Sequence, residues 1–441
     1  MTFTAPRGVL GRIGAIAALA TALALLAAPP ASADEADDRL TIMRAAQVGA
    51  PAAAGGDVTA QQTDGGCSTD PGGDVVDDRD DDAPATHANN DRADIVEHCA
   101  SYVGNLVLQV TVAEPTNPRA DPAWQDATFV GWFLDTDGDD VGDYFASYNL
   151  NADGNLVTEV QRIETPTAAV ICGNAPAVYD GTSYTAGPIP PECLDGETSV
   201  SVSAAVFYDA EGEGGPLLHD TAPDAGAFPD PVAQSTDCAN ALPAPFADRA
   251  SIAAAHVNAV DCIYARGVTL GTNNAQGVRH FLPLLAIPRG QFAAFAHRAL
   301  VTTDTALPDP QTPRFTDVDE GFTFDMEIHE LAAADILLGV TPQEFRPHQQ
   351  IRRDQTASVL VRSLAHARDA AVTPSAPGTH FSDTVGNVHA DNIDAAFEEE
   401  MVQGVVAPSA GNGRLYVPAA PTSRQQMASV INRFIDNVEG S

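Results

Sequence analysis

A chain of 441 residues is long enough to build at least two separate cores. Its 60 Asp and Glu face 22 basic residues, all of them Arg, for a formal charge of -38. A surface this acidic repels polyanions and excludes wholesale nucleic-acid binding, and a chain without Lys cannot make a phosphate-cradling P-loop.

In chain order, residues 1–33 read as a secretory signal peptide. Arg7 and Arg12 supply the positive start, Ile13 to Ala28 the apolar stretch, and Ala31-Ser32-Ala33 the small-residue cleavage pattern. No second apolar run of membrane length follows, so no membrane span is expected after cleavage. Export implies that the six cysteines are oxidised, and proximity suggests Cys67–Cys99, Cys172–Cys193 and Cys238–Cys262. No pair has the spacing of a zinc site.

Residues 34–95 are rich in Ala, Gly, Asp and Asn, with the run Asp77-Asp78-Arg79-Asp80-Asp81-Asp82, and are expected to form an acidic, flexible spacer. Residues 96–236 change character. Short β-branched and aromatic runs, such as 106–112, 128–134, 144–148 and 199–207, alternate with Gly, Pro, Asn and Asp clusters and predict a β-sandwich. Within it, Asp135, Asp137, Asp139 and Asp143 offer closely spaced carboxylates of the kind a hard Ca2+ ion takes, making Ca2+ the one candidate cofactor. The segment is not an EF-hand, since Ala146 stands where the bidentate Glu would, and a solvated acidic turn is the alternative. Trp132, Tyr144 and Tyr148 could form a sugar platform, although alternating aromatics in a strand are more often core.

From residue 237 the pattern turns helical and repeats three times, over 237–301, 313–365 and 379–436. Each copy opens with an aromatic two before an Asp, as Phe246-Ala247-Asp248, Phe315-Thr316-Asp317 and Phe381-Ser382-Asp383. A helix-period stretch then leads to Gly271, Gly339 or Gly404. Next comes an aromatic two before Pro (Phe281, Phe345, Tyr416), then an Arg eight residues on (Arg289, Arg353, Arg424) and a Gln two beyond that (Gln291, Gln355, Gln426). A second Arg follows nine residues after the first: Arg298, Arg362, Arg433. Units this small cannot bury their own apolar stripes, so the three must pack together.

This arrangement resembles the S-layer homology repeat, whose pattern is Phe-x-Asp-Val, a His-led helix, Gly, an aromatic and Pro, then Thr-Arg-Ala-Glu opening a second helix. Phe315-Thr316-Asp317-Val318 is the best local match, and His256 and His389 stand where the family has His, with Phe324 in the second copy. The resemblance implies an all-α three-repeat bundle, C-terminal to the all-β domain, that binds an anionic secondary cell-wall polysaccharide non-covalently. It further implies that Arg289, Arg353 and Arg424 contact the acidic sugar, with Gln291, Gln355, Gln426, His256 and His389 beside them. The family Glu has become Gln in all three copies.

Helix physics points the same way. These Arg fall at a helix start, where a cation opposes the dipole by about 0.3–1 kcal/mol, whereas a bound anion would reverse the sign. An internal salt bridge to Asp248, Asp317 or Asp383 is the competing explanation. Arg298, Arg362 and Arg433 lie near helix ends and read as structural. Of the 22 Arg, 14 lie between residues 246 and 436, which makes that region locally less repulsive to an anionic polymer.

No Gly-x-Ser-x-Gly elbow or His-Glu-x-x-His motif is present, so the expected function is that of a non-catalytic envelope protein anchored at the cell surface by its repeats. A wall-attached hydrolase with its active site in the β-domain is the alternative.

Overall fold

The computed structural model describes residues 66–440 other than 71, 74, 78–79, 85–89, 126–127, 152, 164–169, 210–216, 224–227, 275–276, 311–313 and 407–412. The expected signal peptide and the spacer as far as residue 65 lie outside the described residues. The chain divides into two compact units, one up to Pro245 and one from Phe246 onward, with the stretch ending at Arg279 grouped with the first.

The first unit is all β. Its strands are β1 (Cys67–Thr69), β2 (Val76–Asp77), β3 (Asp80–Pro84), β4 (Ile95–Val103), β5 (Asn105–Val112), β6 (Phe129–Asp135), β7 (Tyr144–Leu150), β8 (Leu156–Arg162), β9 (Val170–Tyr179), β10 (Tyr184–Ile189), β11 (Ser199–Asp209), β12 (Leu217–Ala222) and β13 (Val232–Ala233). They join in one antiparallel sheet in the order β1-β4-β5-β10-β9-β8-β7-β6-β11-β12-β2-β3, with β13 on β11. The expected sandwich is met in a sandwich-like form, one continuous sheet curled so that β5 and β6 face a common core. The two halves stay joined through β9, which pairs with β8 on one side and with β10 on the other. Curling brings the ends together. Beyond β13, Ser235 bridges Val103 of β4, donating its amide to the Tyr102 carbonyl at 2.8 Å.

Alternation then decides what fills the inside. Val130, Trp132 and Leu134 of β6, Tyr144, Ala146 and Tyr148 of β7, and Leu106, Leu108 and Val110 of β5 share one core. Trp132 and Tyr148 are 0% exposed and Tyr144 is 4% exposed, so these aromatics are core and not a sugar platform. The opposite face is also covered in places, with Phe129 stacked on Phe207 at 4.5 Å.

The spacer expectation is corrected for its last part. Residues 67–84 contribute β1 to β3, Cys67 is disulfide-bonded to Cys99 across β4, and Asp94 accepts the Gly73 amide at 2.8 Å. Val75 is buried with Ala93, Tyr208 and Leu218. Backbone ladders and a covalent link hold this stretch where side-chain hydrophobicity alone could not. A second disulfide joins Cys172 to Cys193, and Cys238 and Cys262 are also disulfide-bonded.

Among the described residues the second unit holds six α-helices: α1 (Ala254–Ala265), α2 (Arg289–Thr302), α3 (Asp325–Ala333), α4 (Arg353–Ala367), α5 (Ala390–Glu398) and α6 (Arg424–Glu439). The second helices of the repeats, α2, α4 and α6, pack against one another, and each first helix packs on the second helix of another repeat: α3 on α2, α5 on α4, α1 on α6. Since α1 closes back onto α6, the repeats form a ring. Arg266, 2% exposed at the end of α1, donates to Asn432, Asp436 and Glu439 of α6 and secures that closure.

The repeated motif residues explain how each copy folds. Asp248 accepts the amides of Phe281 and Leu282 at 2.7 Å each, Asp317 those of Phe345 and Arg346 at 2.8 and 2.6 Å, and Asp383 those of Tyr416 and Val417 at 2.9 and 2.8 Å. The clamp holds Leu282, Arg346 and Val417 at φ of 59°, 60° and 59°, a left-handed turn that costs about 1 kcal/mol without compensation. The two aromatics of each copy meet, with ring centroids 5.5, 5.3 and 5.3 Å apart for Phe246–Phe281, Phe315–Phe345 and Phe381–Tyr416. Gly271, Gly339 and Gly404 combine positive φ with no room for a Cβ, which would strike the opening Phe of the same copy.

Against the cost of partial desolvation, its largest single effect, the amides of Phe345 and Arg346 hold the Asp317 carboxyl below its usual value of 3.8. A depressed folded pKa contributes stability that is present above about pH 4 and lost as pH falls through the folded value. Asp317→Asn should therefore cost about 1 kcal/mol at pH 7, modest because the carboxylate is exposed, and the difference should vanish in acid. Urea melts of both proteins at pH 7 and near pH 2.5 measure it.

Candidate functional site

The three helix-start arginines form the joints between repeats. Arg289 Nε donates to the Phe345 carbonyl at 2.8 Å and Arg353 Nε to the Tyr416 carbonyl at 2.9 Å, while Arg424 Nε donates to the Phe281 carbonyl. Each guanidinium also lies over the ring whose carbonyl it uses, at 4.6, 4.8 and 5.1 Å from the centroid. Every Arg thus reaches the next copy in a cycle, first to second, second to third and third to first.

The helix-start amides are used in the same way. Those of Arg289 and Gly290 donate to Gln349 and Pro347, those of Arg353 and Asp354 to Ala420 and Pro418, and those of Arg424 and Gln425 to Leu285 and Pro283. Two residues before each Arg, a three-membered hydrogen-bond cycle runs around the centre: Ile287 N to Thr422 O, Thr422 N to Ile351 O and Ile351 N to Ile287 O, each at 3.0 Å.

This corrects the expectation of open anion sites at all three helix starts. The first amides are occupied by the neighbouring repeat, and Arg289 and Arg424 are 7% and 2% exposed. Desolvation lowers both guanidinium pKa values to about 10, still well above neutrality. The competing salt bridge is also corrected, because Asp248, Asp317 and Asp383 direct their oxygens at backbone amides. Gln355 and Gln426 complete capping boxes by accepting the amides of Arg352 and Ser423 at 3.2 and 3.1 Å. Pro288 offers no such amide, and Gln291 accepts instead from Arg424 Nη1 at 2.7 Å. Arg298, Arg362 and Arg433 donate to the carbonyls of Val268, Ile336 and Met401, just past the first helix of their own copy.

One joint remains open. Arg353 is half-buried and faces a pocket of about 230 Å³. Arg433 and His256 stand on its wall, with Gln426, Ser429, Thr422 and Tyr416. His256 Nδ1 meets Ser429 Oγ at 2.7 Å, and desolvation, then Arg433, lowers the imidazole pKa, so it is neutral at pH 7. The lining holds two guanidinium groups, hydroxyls and two carboxamides, and no carboxylate, in a chain of charge -38. A wider depression shares Val402, Gln403, Gly404 and Arg433 with it and continues past Arg414, where Glu398, Glu400 and Asp436 also line it. Such a lining suits a carboxylate or phosphate carried on a hydroxyl-rich body. His389 holds the corresponding bond to Ser358 in another joint, at 2.8 Å.

In the β unit, Asp135, Asp137 and Asp143 bring carboxylate oxygens within 4.8 Å of one another and could hold a hard cation, whereas Asp139 is not part of the cluster. The Asp135 carboxylate accepts the amides of Asp137, Gly138 and Asp140, and Asp143 accepts from Thr136, which orders the turn.

No family model matches the sequence. The chain is similar to a Surface-layer 125 kDa protein of Lysinibacillus sphaericus, at 27% identity over 184 residues, which is 42% of this chain and 14% of that protein. Among the described residues no helix is long and apolar enough to cross a membrane.

Sequence reasoning missed the second partner of each Arg. The aromatic that it stacks on lies one repeat away, and only the matching order of the motifs in all three copies hinted at a shared contact. Arg424→Ala should destabilise the helical unit by roughly 2–4 kcal/mol, the sum of a charged hydrogen bond and a desolvated cation–π contact. Arg353→Ala, at the more exposed joint, should cost less. Chemical denaturation of the two variants gives the comparison.

Proposed function

We propose that the protein is a non-catalytic, surface-associated anchor whose helical unit binds an anionic cell-wall glycopolymer and displays the β unit. The observation that carries this reading is the pocket at Arg353, basic and free of lining carboxylates on a strongly acidic chain. Similarity to a surface-layer protein and the ring of three repeats, built as the S-layer homology resemblance implies, support the surface role.

In this reading Arg353 and Arg433 attract the acidic group, while Gln403, Gln426 and Ser429 offer hydrogen bonds to sugar hydroxyls. Neutral His256 holds Ser429 in place and keeps the wall polar. An exposed site of this kind is screened by salt.

The test is co-sedimentation of the purified chain with cell-wall sacculi from the source organism. Arg353→Gln should lower the apparent affinity at least tenfold at about 0.1 M salt, with circular dichroism unchanged, and raising the salt should weaken the wild type. Full adsorption of Arg353→Gln would refute the assignment of the pocket.

A further inference from the structure

We infer that the helical ring is a monovalent anchor: of its three equivalent joints, only the one at Arg353 takes an acidic sugar, and the other two have been sealed by apolar substitution. The inference rests on the proposed polymer binding and goes beyond it by fixing how many sites a chain presents and which one.

The argument compares like positions around the ring. Beside Arg353 stand Thr356, on its own helix, and Thr422, on the next repeat, with their hydroxyls 3.0 Å apart. The same positions beside Arg289 are Phe292 and Ile351, and beside Arg424 they are Met427 and Ile287; all six residues are buried, the threonines at 3% and 2% exposed and the apolar four at 0–2%, so the joints differ here in chemistry and size and not in exposure. Two hydroxyls have thus been exchanged for large apolar groups at both other joints.

The guanidinium groups respond to this packing. Arg289 and Arg424 are 7% and 2% exposed, whereas Arg353 is half-buried and reaches its pocket. At the Arg424 joint, Gln291 already occupies Nη1, and the positions of Ser429 and His256 are taken by Ala294 and Phe324. Those exchanges remove the hydroxyl and imidazole that a sugar would meet. At the Arg289 joint, Ser358 and His389 are retained, but Asn392 Nδ2 also donates to Ser358 Oγ at 2.8 Å. An anion arriving at either sealed joint would have to displace a buried apolar side chain, and the ring closure depends on that same side chain.

The experiment exchanges residues between joints in the full-length chain and reads adsorption to sacculi from the source organism, with thermal melting alongside. Thr356→Phe/Thr422→Ile gives the Arg353 joint the apolar residues of the Arg289 joint. His256→Phe/Ser429→Ala gives it those of the Arg424 joint and is the milder variant should the first fold poorly. Affinity should fall at least tenfold in the first and at least fivefold in the second. His389→Phe/Ser358→Ala and Gln291→Ala, at the sealed joints, should stay within twofold of wild type. If His389→Phe/Ser358→Ala loses as much affinity as His256→Phe/Ser429→Ala, the polymer uses more than one joint and the monovalent reading is overturned while polymer binding stands. A wild-type chain that does not sediment at all overturns polymer binding, and the monovalent reading with it.

Discussion

A guanidinium held between two repeats is the interaction on which the helical unit depends. Each of Arg289, Arg353 and Arg424 leaves its own helix start to donate to a backbone carbonyl of the next repeat and to cover that repeat's aromatic ring. The carbonyl is presented because an Asp has already clamped the amides on either side of the turn, in all three copies. Local folding of one repeat therefore prepares the docking point for another. A single copy of 50 to 60 residues has no partner for its Arg, for its first helical amides or for its apolar stripe, which is why the ring must be complete to be stable.

The same chemistry is suited to binding once one joint is left partly open. A guanidinium stacked on an aromatic and tied by Nε keeps a fixed orientation, and it loses little freedom on meeting an anion. At the Arg353 joint, two threonine hydroxyls replace the apolar pair found elsewhere, and the pocket they border carries Arg433 and His256 as well. Structural joint and candidate site are thus two versions of one arrangement, separated by a few side chains. In a chain of charge -38, a pocket without lining carboxylates is a local exception that a polyanion would find.

Much of the helical unit was legible because its punctuation recurs. The opening aromatic and Asp, the Gly, the second aromatic with Pro and the Arg all proved to have one structural role per position, repeated three times. The partner of each Arg was not legible, since it lies in another copy, 56 residues away for Arg289, 63 for Arg353 and 143 for Arg424, and no local rule connects them. Dipole reasoning assumed free amides at the helix starts, and tertiary contacts had already taken them. In the β unit the strands were legible from alternation, but their order was not. Antiparallel partners such as Gln109 and Thr185 are distant in sequence, and alternation along a strand does not say which strand lies beside it. The strands before Cys99 escaped notice because a disulfide and backbone ladders hold them instead of apolar side chains.

The interlock can be measured directly at the centre of the ring, where the amides of Ile287, Ile351 and Thr422 donate to one another's repeats in a closed cycle. Native-state hydrogen exchange reads the free energy at which each opens. If the three repeats stand or fall together, all three amides exchange at one common free energy, equal to that for global unfolding of the helical unit in a denaturant series. Exchange of one of them through a low-energy local opening, while the other two remain protected, would show that the repeats are separable and that the ring of arginines does not hold them as a unit.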